Sequence, residues 1–143
     1  MPPAPQQDRP QSAARAVLLL HTLPDASSHF DLLLERRPES GAPTPDPDDR
    51  RLITFRLPNP LPPASVTELE VERAPDHRAF YLDHEGPVSD ARGHVQRAFT
   101  AHLTDLHETE DTVRATLSLD QSIIMIDAER IDSNRWRLLL TRS

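Results

Sequence analysis

An antiparallel β-barrel or sandwich with little helix is the fold class this sequence predicts, and three observations predict it. The chain divides into roughly seven to nine short runs of apolar or alternating residues. Turn signals built from Pro, Gly, Asp and Ser separate these runs about every 8 to 12 residues. Sustained helical periodicity is scarce, and such a chain buries its alternating faces by folding sheet onto sheet or closing one sheet on itself.

Residues 1–14, rich in Pro, Gln and Ala without periodicity, read as a mobile tail, and residues 15–143 as the folded domain. Arg15–His21 is a short apolar run expected as a buried strand. Pro24, Asp25, Ser27 and Ser28 supply a turn, and His29–Arg36 follows as an alternating strand. PESGAPTPDPDD, residues 38–49, is loop chemistry almost throughout and reads as an exposed Pro-rich insertion. Strand signals return at Leu52–Leu57 and stop at Pro58. Val66–Arg73 alternates apolar and charged residues, and Ala79–Leu82 is a further short strand candidate. Glu85, Gly86 and Pro87 read as a tight turn. Val95–Leu106 fits two descriptions, because Val95, Phe99, Leu103 and Leu106 also have helical spacing. Thr112–Leu119, Ser122–Ala128 and Arg135–Thr141 complete the set, with Trp136 expected to anchor the last strand in the core.

The chain of 143 residues fits one domain with a real core. It has no cysteine, which removes disulfides and thiolate metal sites. No apolar run approaches the roughly 20 residues of a membrane span, and the first residues lack the apolar stretch of a secretory signal, so a soluble, cytoplasmic monomer is expected. All sixteen basic residues are arginine, and the net charge is −7. That balance argues against broad non-specific nucleic-acid affinity but leaves room for a local basic site.

The chemistry gathers in HTLPDASSHFDLLLE, residues 21–35. On a strand starting near His29, alternation sets His29, Asp31, Leu33 and Glu35 on one face and Phe30, Leu32 and Leu34 on the core face. His21 closes the preceding run just across the turn. Two imidazoles and the carboxylates of Asp31 and Glu35 so placed make a metal cup suited to Mn²⁺, Fe²⁺ or Zn²⁺; the other reading of the same spacing is a solvated strand face beside a loop histidine.

Taken with the later segments DHRAFY and YLDHEGPVS, this stretch resembles the 3′-phosphoesterase domain found at the N-terminus of bacterial ligase D and as stand-alone proteins. The resemblance runs from about Val17 to Val95, with a weaker continuation to RWRLLL, and rests on the order and spacing of several motifs. It implies a compact antiparallel β-barrel with the site inside one end. It implies that His21, His29 and Asp31 hold Mn²⁺ or another divalent metal, that Glu35 orients a ligand imidazole, and that His77 and Tyr81 face the scissile phosphate as hydrogen-bond donors or acid/base groups. The implied activity is removal of a 3′-phosphate or 3′-ribonucleotide in DNA repair of the end-joining kind. The implied partners are DNA or RNA–DNA 3′ ends and repair ligases or polymerases.

Two departures bear on turnover. Leu33 stands where the family has arginine, and Asn59 where it has lysine, so two phosphate-neutralising cations are missing. One such charge is worth about 3 to 4 kcal/mol of transition-state stabilisation, or roughly 10²- to 10³-fold in rate. Arg56, Arg78 and Arg92 are the alternative sources. Two function classes follow: an active 3′-end phosphoesterase, or a catalytically weakened barrel that binds nucleic-acid ends or a repair partner. If lost charge is the only defect, Leu33→Arg should raise activity. His84 is expected to pack at its turn, and His94, His102, His107 and the acidic group Glu108, Glu110 and Asp111 to be solvated.

Overall fold

The computed structural model describes residues 14–36, 47–59 and 66–143. The tail expected at 1–14 lies outside them except for Ala14, which already belongs to the first strand, and the Pro-rich loop lies outside them as far as residue 46.

Nine strands form: β1 (Ala14–Thr22), β2 (Ser28–Glu35), β3 (Leu52–Pro58), β4 (Val66–His77), β5 (Gly86–Pro87), β6 (His94–Glu108), β7 (Thr112–Ser118), β8 (Ile123–Arg130) and β9 (Arg135–Arg142). Strands β1 to β4 make one antiparallel meander and β6 to β9 a second. Pairings β1–β6 and β4–β9 seal the two meanders into a closed eight-stranded antiparallel barrel, with β5 a short addition on β6. Among the described residues no helix is long and apolar enough to cross a membrane.

Two sequence readings need correction. Ala79–Leu82 is a 3-10 helix, not a strand. Its i+3 bonds run from the Tyr81 N–H to Arg78 O and from the Asp83 N–H to Phe80 O, and the N–H groups of Ala79 and Phe80 donate to Asp49 O and Pro47 O. The three-residue turn buries Ala79 and Leu82 together, a spacing no strand provides. The Pro-rich loop, at its described end, is thus a support for this helix.

Val95–Leu106 is strand throughout, and its helix-like spacing comes from bulges. Leu18 pairs Phe99 while Leu19 pairs Arg97, so Ala98 is an extra residue that switches faces, and a second irregularity falls between Thr104 and His107. Val95 accordingly packs outside the barrel, and Phe99, Leu103 and Leu106 inside it.

The interior draws on all eight barrel strands. Phe55 and Trp136 meet edge to face at 5.5 Å, with Leu34, Leu57, Leu117 and Leu138 among the side chains around them. At one end Arg73 lies over both rings, 5.6 and 5.1 Å from their centroids. Arg36 there clamps Glu108 through two 2.7 Å bonds and Asp76 through a third of 2.7 Å. Glu108 is therefore an ion-pair partner, not a solvated carboxylate. Its carboxyl is held below the ordinary range by Arg36, against the cost of burial, with help from Arg73.

A second apolar cluster lies on the outer face of the sheet. Val17, Leu19, Leu33, Leu52 and Val95 are covered there by Tyr81, Leu82 and Val88. The covering residues belong to the connection between the two meanders, residues 78–93, which crosses the outside of the barrel as a strap. Arg15 pins it to β1 through Asp83 at 2.8 Å. Gly93 ends it with φ +91, and a Cβ there would stand 1.9 Å from the Thr22 carbonyl oxygen, so only glycine lets the strap approach β1 so closely.

Candidate metal centre

Residues 23–27 turn β1 into β2. The Leu23 N–H donates to Ser27 O at 2.8 Å, and Asp25 Oδ1 accepts from both the Ser27 N–H and its hydroxyl. The hairpin register sets His21 directly opposite His29 and Leu19 opposite Asp31. The two imidazoles meet edge to face with centroids 5.0 Å apart. Asp31, two residues beyond His29, points to the same face and is 4% exposed. Its Oδ1 lies 3.2 Å from His29 Nε2 and its Oδ2 lies 3.5 Å from His21 Nδ1. One ligand atom from each of the three residues falls within 4.8 Å of the others.

The hydrogen bonds decide what this cluster can hold. His21 Nε2 is 2.8 Å from the Arg92 carbonyl oxygen. A carbonyl only accepts, so Nε2 carries a proton, which leaves Nδ1, the nitrogen that faces Asp31, as the one able to ligate. This is the backbone-carbonyl support typical of a metal-bound histidine. His29 Nε2 and Asp31 Oδ1 are buried and have no hydrogen-bond partner. Leaving such atoms unpaired costs about 1 to 3 kcal/mol each, and a divalent cation between them would satisfy both. Two imidazole nitrogens and one carboxylate oxygen fit a borderline ion and leave coordination positions open, as hydrolytic metal sites do. The group sits on the outer face of the barrel, not inside one end as expected, because an eight-stranded barrel filled by Trp136, Phe55 and leucines has no lumen left.

The other expected site residues lie elsewhere on this face. Glu35 supports no imidazole: its Oε2 takes two bonds from buried Arg51, at 2.9 and 3.1 Å, and its Oε1 accepts from the Arg15 N–H at 2.9 Å. Glu35 pairs with Leu52, and Leu52 with His77, so Glu35 and His77 lie at the end of the face away from the histidine cup. Glu35 lies four residue steps along β2 from Asp31, roughly 13 Å of backbone. His77 Nδ1 lies 3.0 Å from Pro75 O, and its ring is 5.6 Å from that of Tyr81. Tyr81 itself belongs to the outer cluster with Leu19 and Leu33, the residues next to the cup on its own face.

Leu33 is fully buried in that cluster. Arginine at this position would be forced under the strap without a partner, so Leu33→Arg tests folding more than charge. Asn59 donates to Ser28 Oγ at 2.7 Å, tying β3 to the start of β2. Among the arginines, Arg56 pairs with Asp31 in register while its guanidinium holds Glu72 at 3.3 Å. His84 packs as expected, stacked on Phe80 at 4.6 Å with Nε2 near Pro87 O. His94, His102 and His107 are exposed.

Sequence reasoning named Arg92 only as a source of charge, and it missed Arg51. Arg92 acts through its backbone carbonyl, for which no side-chain signal exists, and the Arg51–Glu35 pair is made only by strand register. No protein-family model, curated protein or solved structure matches this chain.

Proposed function

We propose that the protein is a metal-dependent phosphoesterase that processes 3′ ends of DNA or RNA–DNA strands, removing a 3′-phosphate or 3′-ribonucleotide. The observation that carries this reading is the His21–His29–Asp31 cup, with one tautomer set by a backbone carbonyl and two buried ligand atoms lacking any other partner. Mn²⁺ is the ion we assign, and when bound it supplies Lewis acidity to the phosphate and an activated water. Asp31 offsets the ion's charge, and the Arg92 carbonyl keeps His21 in its ligating orientation. Tyr81, packed on the outer cluster with Leu19 and Leu33, and its ring neighbour His77 are the proton donors available to a substrate extending beneath the strap.

One observation favours a second reading, a barrel that binds nucleic-acid ends or a repair partner without turnover: Leu33 fills with hydrocarbon the position where a phosphate-binding cation is expected. Cleavage of a primer-template ending in a 3′-phosphate or a single 3′-ribonucleotide, with and without Mn²⁺, separates the two. The phosphoesterase reading expects Mn²⁺-dependent product that falls about 10²-fold or more in His29→Ala. Stoichiometric Mn²⁺ binding without product would establish the non-catalytic reading.

A further inference from the structure

The strap carries a second feature that the metal centre does not use. Arg78, Phe80, Tyr81, His84, Val88 and Ser89 line a cavity of about 320 Å³, within the roughly 300–1,000 Å³ common for small-molecule sites. The chain is poor in aromatic residues, at 4%, yet two of them share this wall. Phe80 is 40% exposed and stacks on His84, while Tyr81 stands edge-on to both, at 5.2 Å from Phe80 and 5.9 Å from His84. The Arg78 guanidinium lies 5.4 Å from the Phe80 centroid and 5.6 Å from that of Tyr81. Aromatic faces beside a guanidinium are the means by which proteins hold unpaired bases irrespective of sequence.

The cavity is also tied to the metal cup. Ser89 accepts from Arg92 through its carbonyl at 2.9 Å and its hydroxyl at 3.0 Å, and the Arg92 carbonyl in turn receives the His21 proton. The four-residue turn Ser89–Arg92 therefore joins the cavity wall to His21.

We infer that this cavity holds a nucleobase at the unpaired 3′ end of a nucleic-acid strand, stacked among Phe80, Tyr81 and His84 with Arg78 beside it. The choice of a 3′ end rests on the phosphoesterase reading, whereas the base contact itself needs no metal. The test is fluorescence anisotropy with the full chain in EDTA. The probes are 5′-labelled hexathymidylate with a 3′-phosphate and the same oligomer with an abasic 3′-terminal residue. The abasic oligomer should bind about 10-fold more weakly. Phe80→Ala should weaken the intact oligomer by a similar factor and erase the difference between the two, and Phe80→Trp should restore it.

Equal binding of the two oligomers, binding of neither, or the same loss in Phe80→Trp as in Phe80→Ala would overturn the inference. Metal-dependent cleavage with base-indifferent binding would remove the base pocket and leave the phosphoesterase standing. Base-dependent binding without cleavage would do the reverse.

Discussion

The barrel interior and the outer face under the strap are both apolar, and they are built on opposite terms. Inside, every barrel strand contributes, aromatic rings fill the centre, and charged groups at the end are matched pair by pair. Outside, the apolar cluster comes from β1, β2, β3 and β6 with the strap, and His29 Nε2, Asp31 Oδ1 and Arg97 Nε beside it are buried without hydrogen bonds. The first region leaves a single such atom, Trp136 Nε1, among the described residues. The second leaves three, two of them in the histidine cup, which is where binding chemistry belongs.

Four experiments would break or sharpen that contrast. The largest effect is expected inside: Trp136→Ala should cost about 3 to 5 kcal/mol in chemical denaturation. A smaller loss would mean that the interior is less tightly filled than the contrast requires.

Next comes metal loading. With Mn²⁺ at a hundredfold over its Kd, the wild type should gain about 2.7 kcal/mol and His29→Ala nothing. In EDTA the variant should stay within about 1 kcal/mol of the wild type, since the nitrogen it removes lies 3.2 Å from Asp31 Oδ1 but makes no hydrogen bond. Calorimetric melts with and without the ion measure both.

Leu82→Ala addresses the strap. It should cost about 2 kcal/mol, and the cost should fall locally. Hydrogen exchange is expected to quicken over 79–93 while amides of β7 and β8 keep their protection. Equal quickening throughout would show the two regions to be one cooperative unit.

The smallest effect concerns acid. Arg15 holds the Asp83 carboxyl below its ordinary range. Its contribution is therefore present above the unfolded carboxyl pKa, near 4, and is lost as pH falls through the lower folded value. The pair is largely exposed, so this amounts to no more than about 1 kcal/mol. Strap-specific exchange quickening below pH 4 in the wild type, and its absence in Asp83→Asn, would report it.

Much of the cup was legible in the sequence because it is local. A short turn between two strands dictates that His21 faces His29, and alternation adds Asp31. Which face of β2 was interior could be read from Leu32 and Leu34. Leu33 and Leu19 already hinted that the opposite face was covered too, but alternation does not say by what. The cover comes from residues 79–88, whose AFYL core reads as a strand but forms a 3-10 turn whose first N–H groups are accepted by Asp49 and Pro47, far away in the sequence. The helper role of Glu35 came from the family resemblance; its commitment to Arg51 depends on where β3 enters, which no local pattern encodes. The bulge at Ala98 likewise turned a strand into an apparent helix on paper.

The closed ring has a consequence for how the protein is made. Each meander can zip up from short-range hairpins, but neither is finished by itself: β1 waits for β6, and β4 waits for β9, whose partners Val66 and Thr141 lie far apart in the chain. Until both seams shut, two half-barrels carry open strand edges able to join with copies of themselves. Such long-range closure is slow compared with hairpin formation. During synthesis the first half must persist as an adhesive intermediate until Arg135–Arg142 arrives, so yield should depend more on holding that intermediate apart than on the stability of the finished barrel.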